Sequence, residues 1–214
     1  QTTLLAIRHG ETVWNLEHRF QGHGDSPLSK TGRRQAEAVG RRLEQTPIDA
    51  LISSDLGRAM ETAAIIAGYT GLEPQTDPRL RERHFGVLEG LTVDEIRDRH
   101  PEPFTRLYYE DDADYAPPGG ESLRQHYARN ISFLEEFIAG RWGTAALVVH
   151  GGVLDSIFRY IARIPLEQPR CFVIANASVS RLVYGTFYRT RRWVIDTWGD
   201  VSHLGGIEKT VGLE

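Results

Sequence analysis

Apolar runs and helical stripes alternate along the chain. "TTLLAI" (2–7) is short and apolar and predicts a buried strand. In "LSKTGRRQAEAVGRRLE" (28–44), Ala36, Val39, Gly40 and Leu43 recur at helical spacing behind Ser29, a residue suited to cap a helix N-terminus. "DALISS" (49–54) predicts a second strand, and "DLGRAMETAAIIAG" (55–68) a helix ending at Gly68. "ESLRQHYARNISFLEEFI" (121–138) places Leu123, Tyr127, Ile131, Leu134 and Ile138 on one helical face. The strand "TAALVV" (144–149) and the helix "GGVLDSIFRYIA" (151–162) follow it. The tail "SVSRLVYGTFYRTRRWVIDTW" (178–198) predicts two strands around a turn. Strands alternating with helices predict an α/β sandwich with a mainly parallel sheet.

Residues 83–120 break this rhythm. They contain one short helical stretch, "TVDEIRDRH", with Thr92 and Glu95 spaced as a capping box, and close on the acidic, Pro/Gly-rich "EDDADYAPPGGES". This segment reads as a surface insertion on a single domain spanning 1–214, since no repeat and no low-complexity tract marks a second unit.

Composition narrows the class. A chain of 214 residues with 40% hydrophobic content can build one sizeable core. A net charge of -4 and a pI near 6.1 argue against a nucleic-acid partner, which needs a basic surface. No apolar run approaches the roughly 20 residues of a membrane span, and no basic-then-apolar leader opens the sequence. The single Cys171 excludes an intramolecular disulfide and suits a reducing compartment. The expectation is a soluble, cytoplasmic protein.

Ligands of open parallel sheets bind at the carboxyl ends of strands. Three such ends are visible. The first delivers Arg8, His9 and Gly10; the second Ser53 and Ser54, with Arg58 in the next helix turn; the third His150, Gly151 and Gly152 at a helix start. Glycine lets a ligand approach the backbone, and a helix N-terminus offers free N–H groups to phosphate. Two histidines at equivalent strand ends, each followed by glycine, favour chemistry over structural roles. A two-histidine metal site is the rival, but arginine cannot ligate and repels a cation, whereas its fork matches phosphate oxygens. The residues therefore point to an anion site with two histidines and no metal.

Other phosphate chemistries find no support. There is no G-x-x-x-x-G-K-[ST] loop and no G-x-S-x-G elbow. "GHGDSP" (22–27) carries proline where a dinucleotide fingerprint needs its third glycine. Cys171 lacks an arginine six residues on, and "DDAD" (111–114) follows no apolar strand and reads as a solvated acidic loop.

"RHGETVWN" (8–15), "RFQG" (19–22), "PLSKTG" (27–32), "SSDLGRAMETA" (53–63), "LRERHFGVLEG" (80–90) and "VVHGG" (148–152) together resemble the histidine phosphatase superfamily. More narrowly, they are similar to the branch named after cofactor-dependent phosphoglycerate mutase, whose usual ending "DVSHLGG" (200–206) resembles. The resemblance implies a three-layer α/β/α sandwich of the phosphoglycerate mutase-like kind, with a lid insertion at about 83–120. It implies His9 as the phosphorylated nucleophile, Arg8 and Arg58 as phosphate-holding cations, His150 as the second histidine and Glu82 as proton donor. Asn15 matches a pocket asparagine, Gln21 and Gly22 the segment bordering the pocket, and Gly151 the glycine after the second histidine. Such chemistry requires neither metal nor cofactor.

Within that branch, "ERHFG" is similar to the mutase "ERHYG", and Arg83 matches a substrate-binding arginine there. Mutases, however, place Lys and Arg between that motif and the "PP" loop, whereas residues 107–121 hold none and carry five acids. Such a loop is expected to repel a bisphosphorylated acid. "PPGGES" also resembles phosphatase members. The expectation is a phosphatase acting on a small phosphorylated metabolite, with mutase the alternative. A non-catalytic phospho-ligand binding or regulatory role is disfavoured because His9, His150, Arg8, Arg58 and Glu82 are all kept. His18, His23, His84, His100 and His126 carry no assigned role, and His203 is expected to be structural. Phe104, Tyr108, Tyr109 and Tyr115 are expected to pack the lid. The oligomeric state, a homodimer included, is left open.

Overall fold

A computed structural model describes residues 1–110, 112–140 and 142–211. Strand β1 (Thr2–Arg8) is buried without break from Leu4 onward because it runs inside the sheet. Its neighbours are β4 (Thr144–Val149), parallel, and β5 (Val179–Phe187), antiparallel. With β2 (Ala50–Ser53), β3 (Pro74–Thr76) and β6 (Thr190–Asp200), the sheet order is β3-β2-β4-β1-β5-β6. The β3-β2-β4-β1 run is parallel and the β5-β6 hairpin antiparallel, so the sheet is mixed with a parallel majority. Tyr188 and Arg189 take the left-handed conformation that a tight hairpin turn demands.

Period-two alternation sends β1 side chains to two separate cores. Leu4 and Ala6 pack with Phe133, Leu134, Leu154 and Ile157 of α6 (Leu123–Ala139) and α7 (Gly151–Ala162). Leu5 and Ile7 pack with Val39, Leu43, Ala63 and Ile66 of α2 (Lys30–Leu43) and α3 (Gly57–Thr70). The result is the expected three-layer α/β/α sandwich.

Ser29 caps α2, its hydroxyl accepting the Gly32 amide, and Thr92 and Glu95 close the capping box of α4 (Val93–Arg99). One boundary differs. Helix α3 runs past Gly68 and ends at Gly71, whose φ of 70° is the left-handed termination that glycine favours. A short helix α1 (Val13–Leu16) and the edge strand β3 were not expected, nor was α5 (Pro101–Tyr108), which starts on proline. The 83–120 insertion has its own small core, in which Phe85, Leu88 and Ile96 pack on Phe20, with Phe104 and Leu107 against them. Among the described residues, no helix is long and apolar enough to cross a membrane.

Candidate active site

The parallel register of β1 and β4 pairs Arg8 with Val149, so the next residues, His9 and His150, leave the sheet side by side. Their rings lie 5.2 Å apart. His9 is fixed by its amide, which donates to the Val149 carbonyl, and by Asn176 Nδ2, which donates to the His9 carbonyl. Its ring Nδ1 lies 2.7 Å from the Gly10 carbonyl. A carbonyl only accepts, so Nδ1 carries the hydrogen and Nε2 keeps a lone pair. His150 Nε2 contacts Ser54 Oγ at 2.8 Å, tying the end of β2 to the pair, while its Nδ1 is buried without a hydrogen-bond partner. Burial, then Arg58 and Arg8, hold the His9 imidazole well below the usual 6.5. Burial, then Arg58 and His9, do the same to His150. Both rings are neutral.

Arg8 donates to the Ile174 carbonyl at 2.5 Å. The fully buried Arg58 guanidinium donates to the Gly22 and Gly24 carbonyls at 2.8 and 2.9 Å. Gly22 reaches that position with φ of 54°, and a side chain there would strike Glu89. Gly151 presents its backbone to Arg8: an added Cβ would sit 3.7 Å from the guanidinium carbon. Asn15 and Gln21 are buried beside this cluster, and their carbonyl oxygens are engaged. Asn15 Oδ1 accepts from the Thr12 amide at 3.0 Å, closing the cap of α1, and from Asn176 Nδ2 at 3.2 Å. Gln21 Oε1 accepts from Thr12 Oγ1 at 2.9 Å. The structure thus uses the Asn15 oxygen as a cap.

Glu82 is buried at 3% exposure and is not a surface ion pair, because Arg81 turns to Asp55 at 2.6 and 2.7 Å. Its carboxylate oxygens accept from the Gly152 amide at 2.9 Å and the Arg83 amide at 2.8 Å, which places it at the N-terminus of α7. A cavity of about 200 Å³ opens there, lined by Glu82, Arg83, His126, Gly152, Asp155 and Arg170, with Phe20, Phe85, Leu107 and Tyr108 among its apolar walls. Arg83 is braced by the carbonyls of Glu121 and Tyr115, both at 3.0 Å, and burial lowers it to about 10.

Sequence reasoning missed His126, Asp155 and Arg170 as site residues. His126 Nε2 accepts from Asn130 Nδ2 at 3.0 Å and stands 3.6 Å from Glu82 Oε1. Burial, then Arg129, push it down to about 3. The available signal for Asp155 was its place as an acid in the otherwise apolar start of α7, one turn past Gly152.

The acids of the 107–121 loop have partners outside it. Glu110 and Asp112 both pair with Arg106, Asp114 with Arg124 and Glu121 with Arg129; Asp111 lies outside the described residues. Three arginines thus offset part of the charge of these four acids, Arg106 serving two of them and Arg124 also pairing with Glu167. Phe104 packs on Tyr108 and Tyr109, and Tyr115 lies under Arg106, but Tyr108 also faces the cavity. His203 is tied between Arg42 and the Ala177 carbonyl. Among the described residues, no three His, Cys, Asp or Glu side chains group to hold a metal ion.

A family model described as histidine phosphatase superfamily, branch 1, matches residues 4–201. The chain is similar to phosphoglycerate mutase-like protein 4 of Arabidopsis thaliana, with 40% identity over 204 residues, covering 94% of this chain and 86% of that protein. It is 39% identical over 200 residues to probable phosphoglycerate mutase GpmB of Salmonella choleraesuis, covering 92% of this chain and 93% of that one. Among solved structures, a mycobacterial glucosyl-3-phosphoglycerate phosphatase in complex with VO3 matches with a TM-score of 0.82 and 34% identity, over 93% of this chain and 99% of that one.

Proposed function

The chain belongs to branch 1 of the histidine phosphatase superfamily, and on that premise we propose that it is a metal-independent phosphatase acting on a small phosphorylated metabolite through a phosphohistidine on His9. The observation that carries this reading is the ring state of His9. Its Nδ1 hydrogen is committed to the Gly10 carbonyl, which leaves Nε2 as a neutral nucleophile between Arg8, Arg58 and His150.

In the first step Nε2 attacks phosphorus, the P–O ester bond breaks, and the leaving alkoxide takes a proton from Glu82. Arg8, Arg58 and the Nδ1–H of His150, whose Nε2 accepts from Ser54 Oγ, donate to the equatorial oxygens, where charge is greatest. In the second step the Glu82 carboxylate takes a proton from water, hydroxide displaces His9 from phosphorus, and the imidazole is restored. The cations are fixed side chains, so chelators should leave phosphate release unchanged.

His9→Ala should abolish turnover, and the trapped wild-type intermediate should be acid-labile and alkali-stable, as expected of phosphohistidine. Turnover surviving in His9→Ala overturns the mechanism. The mutase reading is kept because two relatives carry that name and because Arg83 borders the cavity. Interconversion of phosphoglycerates with a bisphosphoglycerate primer, faster than phosphate release, would replace the phosphatase reading with it.

A further inference from the structure

Asp155 lies three residues beyond Gly152 on α7, so its side chain stands on the same helix face as the Gly152 amide that holds Glu82. It is 5% exposed. Its Oδ2 is committed: Arg159 Nε donates to it at 2.8 Å, and Arg159 in turn holds the carbonyls of Pro165 and Gln168. Oδ1 accepts no hydrogen bond, with Arg170 Nε 3.5 Å away in ion-pair range. Asp155 and Arg170 both line the cavity next to Glu82. A buried carboxylate oxygen without a donor is costly, and a donor delivered by a ligand would remove that cost.

We propose that Asp155 Oδ1 is a substrate subsite that accepts a hydrogen bond from a hydroxyl on the alcohol half of the phosphomonoester. The inference rests on the phosphatase reading of the same site and narrows it to polyol or sugar phosphates. An ammonium donor would meet Arg159 and Arg170, which already flank the carboxylate, while an ionised carboxylate or phosphate has no hydrogen to donate to Oδ1. A neutral hydroxyl brings a donor without a positive charge. Three residues of helix rise about 4.5 Å, which places the hydroxyl two or three carbons from the ester oxygen that Glu82 protonates.

The test compares kcat/KM for glycerol 1-phosphate and propyl phosphate, which differ only in hydroxyl groups, with p-nitrophenyl phosphate as a third ester. Wild-type protein should prefer glycerol 1-phosphate by about tenfold or more. In Asp155→Ala the ratio should fall toward one, and in Asp155→Asn, which keeps an acceptor oxygen but loses its charge, it should lie between. The ratio cancels losses common to both esters. If Asp155→Ala does not fold because Arg159 loses its partner, Asp155→Asn decides: an unchanged ratio there overturns the subsite. Equal turnover of the two alkyl esters by wild type also overturns it while leaving the phosphatase reading intact. No phosphate release from any of the three esters overturns the phosphatase reading, and the subsite with it.

Discussion

Replacing Gly152 with alanine tests Glu82 without removing a titratable group. An added Cβ would stand 2.2 Å from Glu82 Oε1 and 3.0 Å from His126 Cε1. Real contacts of this kind do not fall below 3.0 Å, so the carboxylate must retreat by about 0.8 Å from its place on the Gly152 amide. The obstructing atom ends a flexible side chain, and alanine also narrows the unfolded ensemble, so Tm should stay within about 3 °C of wild type. The chemistry is less forgiving. A displacement approaching 1 Å in a general acid costs on the order of 100-fold in rate, about 2.7 kcal/mol of barrier. Turnover of an alkyl phosphate, whose alkoxide cannot leave unprotonated, should fall by that factor. Release of p-nitrophenolate in a single turnover with enzyme in excess reports the first step alone and needs no proton, so it should change by no more than about threefold. Equal losses in the two assays, or an unchanged alkyl turnover, would refute the assignment of Glu82 as acid.

Three further outcomes follow from the same geometry. His126 is pushed down to about 3 when folded but binds a proton near 6.5 when unfolded, so the unfolded state holds more protons in that window. Stability should therefore fall as pH drops from 6.5 toward 3, by up to about 1.4 kcal/mol per pH unit from this group, and His126→Gln should flatten the pH dependence of the urea midpoint. Gly10→Ala drives a Cβ to 2.5 Å from the Gly32 carbonyl oxygen, a backbone atom that cannot swing aside. It should cost about 1–3 kcal/mol, read as a Tm drop of several degrees by calorimetry. In imidazole ¹⁵N spectra of the free protein, His9 should show the Nδ1–H form, and neither His9 nor His150 should titrate with a midpoint near 6.5; such a midpoint at either ring contradicts the neutral pair.

The strand ends that build the candidate site were legible because each pairs an apolar run with a polar exit, and only the order β2-β4-β1 had to be supplied by the fold. Other features depended on contacts between distant segments. "IIAGYTG" holds two glycines that can each stop α3, and the first was the expected end. Tyr69 decides the matter: it packs over Gly40, where an added Cβ would stand 2.3 Å from its ring, so the helix continues to Gly71 to place it. Helix α5 is hidden by its polar, proline-started pattern and is stabilised by Phe104 and Leu107 against Phe20 and Ile96, far away in sequence. The acids of 107–121 looked uncompensated because the window stopped short of their partners. Arg106 lies one residue before it, and Arg124 and Arg129 lie one and two helical turns after it. Those pairs compensate the loop's acids in part from outside the window.

In the proposed mechanism, arginine suits the site as its source of charge. The carbonyls of Ile174, Gly22 and Gly24 orient the two guanidinium groups, and the half-exposed Asp25 carboxylate stands 3.7 Å from Arg58 Nη1. The positive charge of Arg58 and Arg8 still disfavours a proton on His9 and His150. Phosphate attraction and nucleophile neutrality thus come from one electrostatic arrangement. A divalent cation at this position would supply comparable charge, but it would compete for the imidazole lone pair that the proposed mechanism uses to attack phosphorus. A guanidinium has no vacant orbital for that nitrogen. Arginine can deliver charge to the phosphate while leaving Nε2 of His9 free to react.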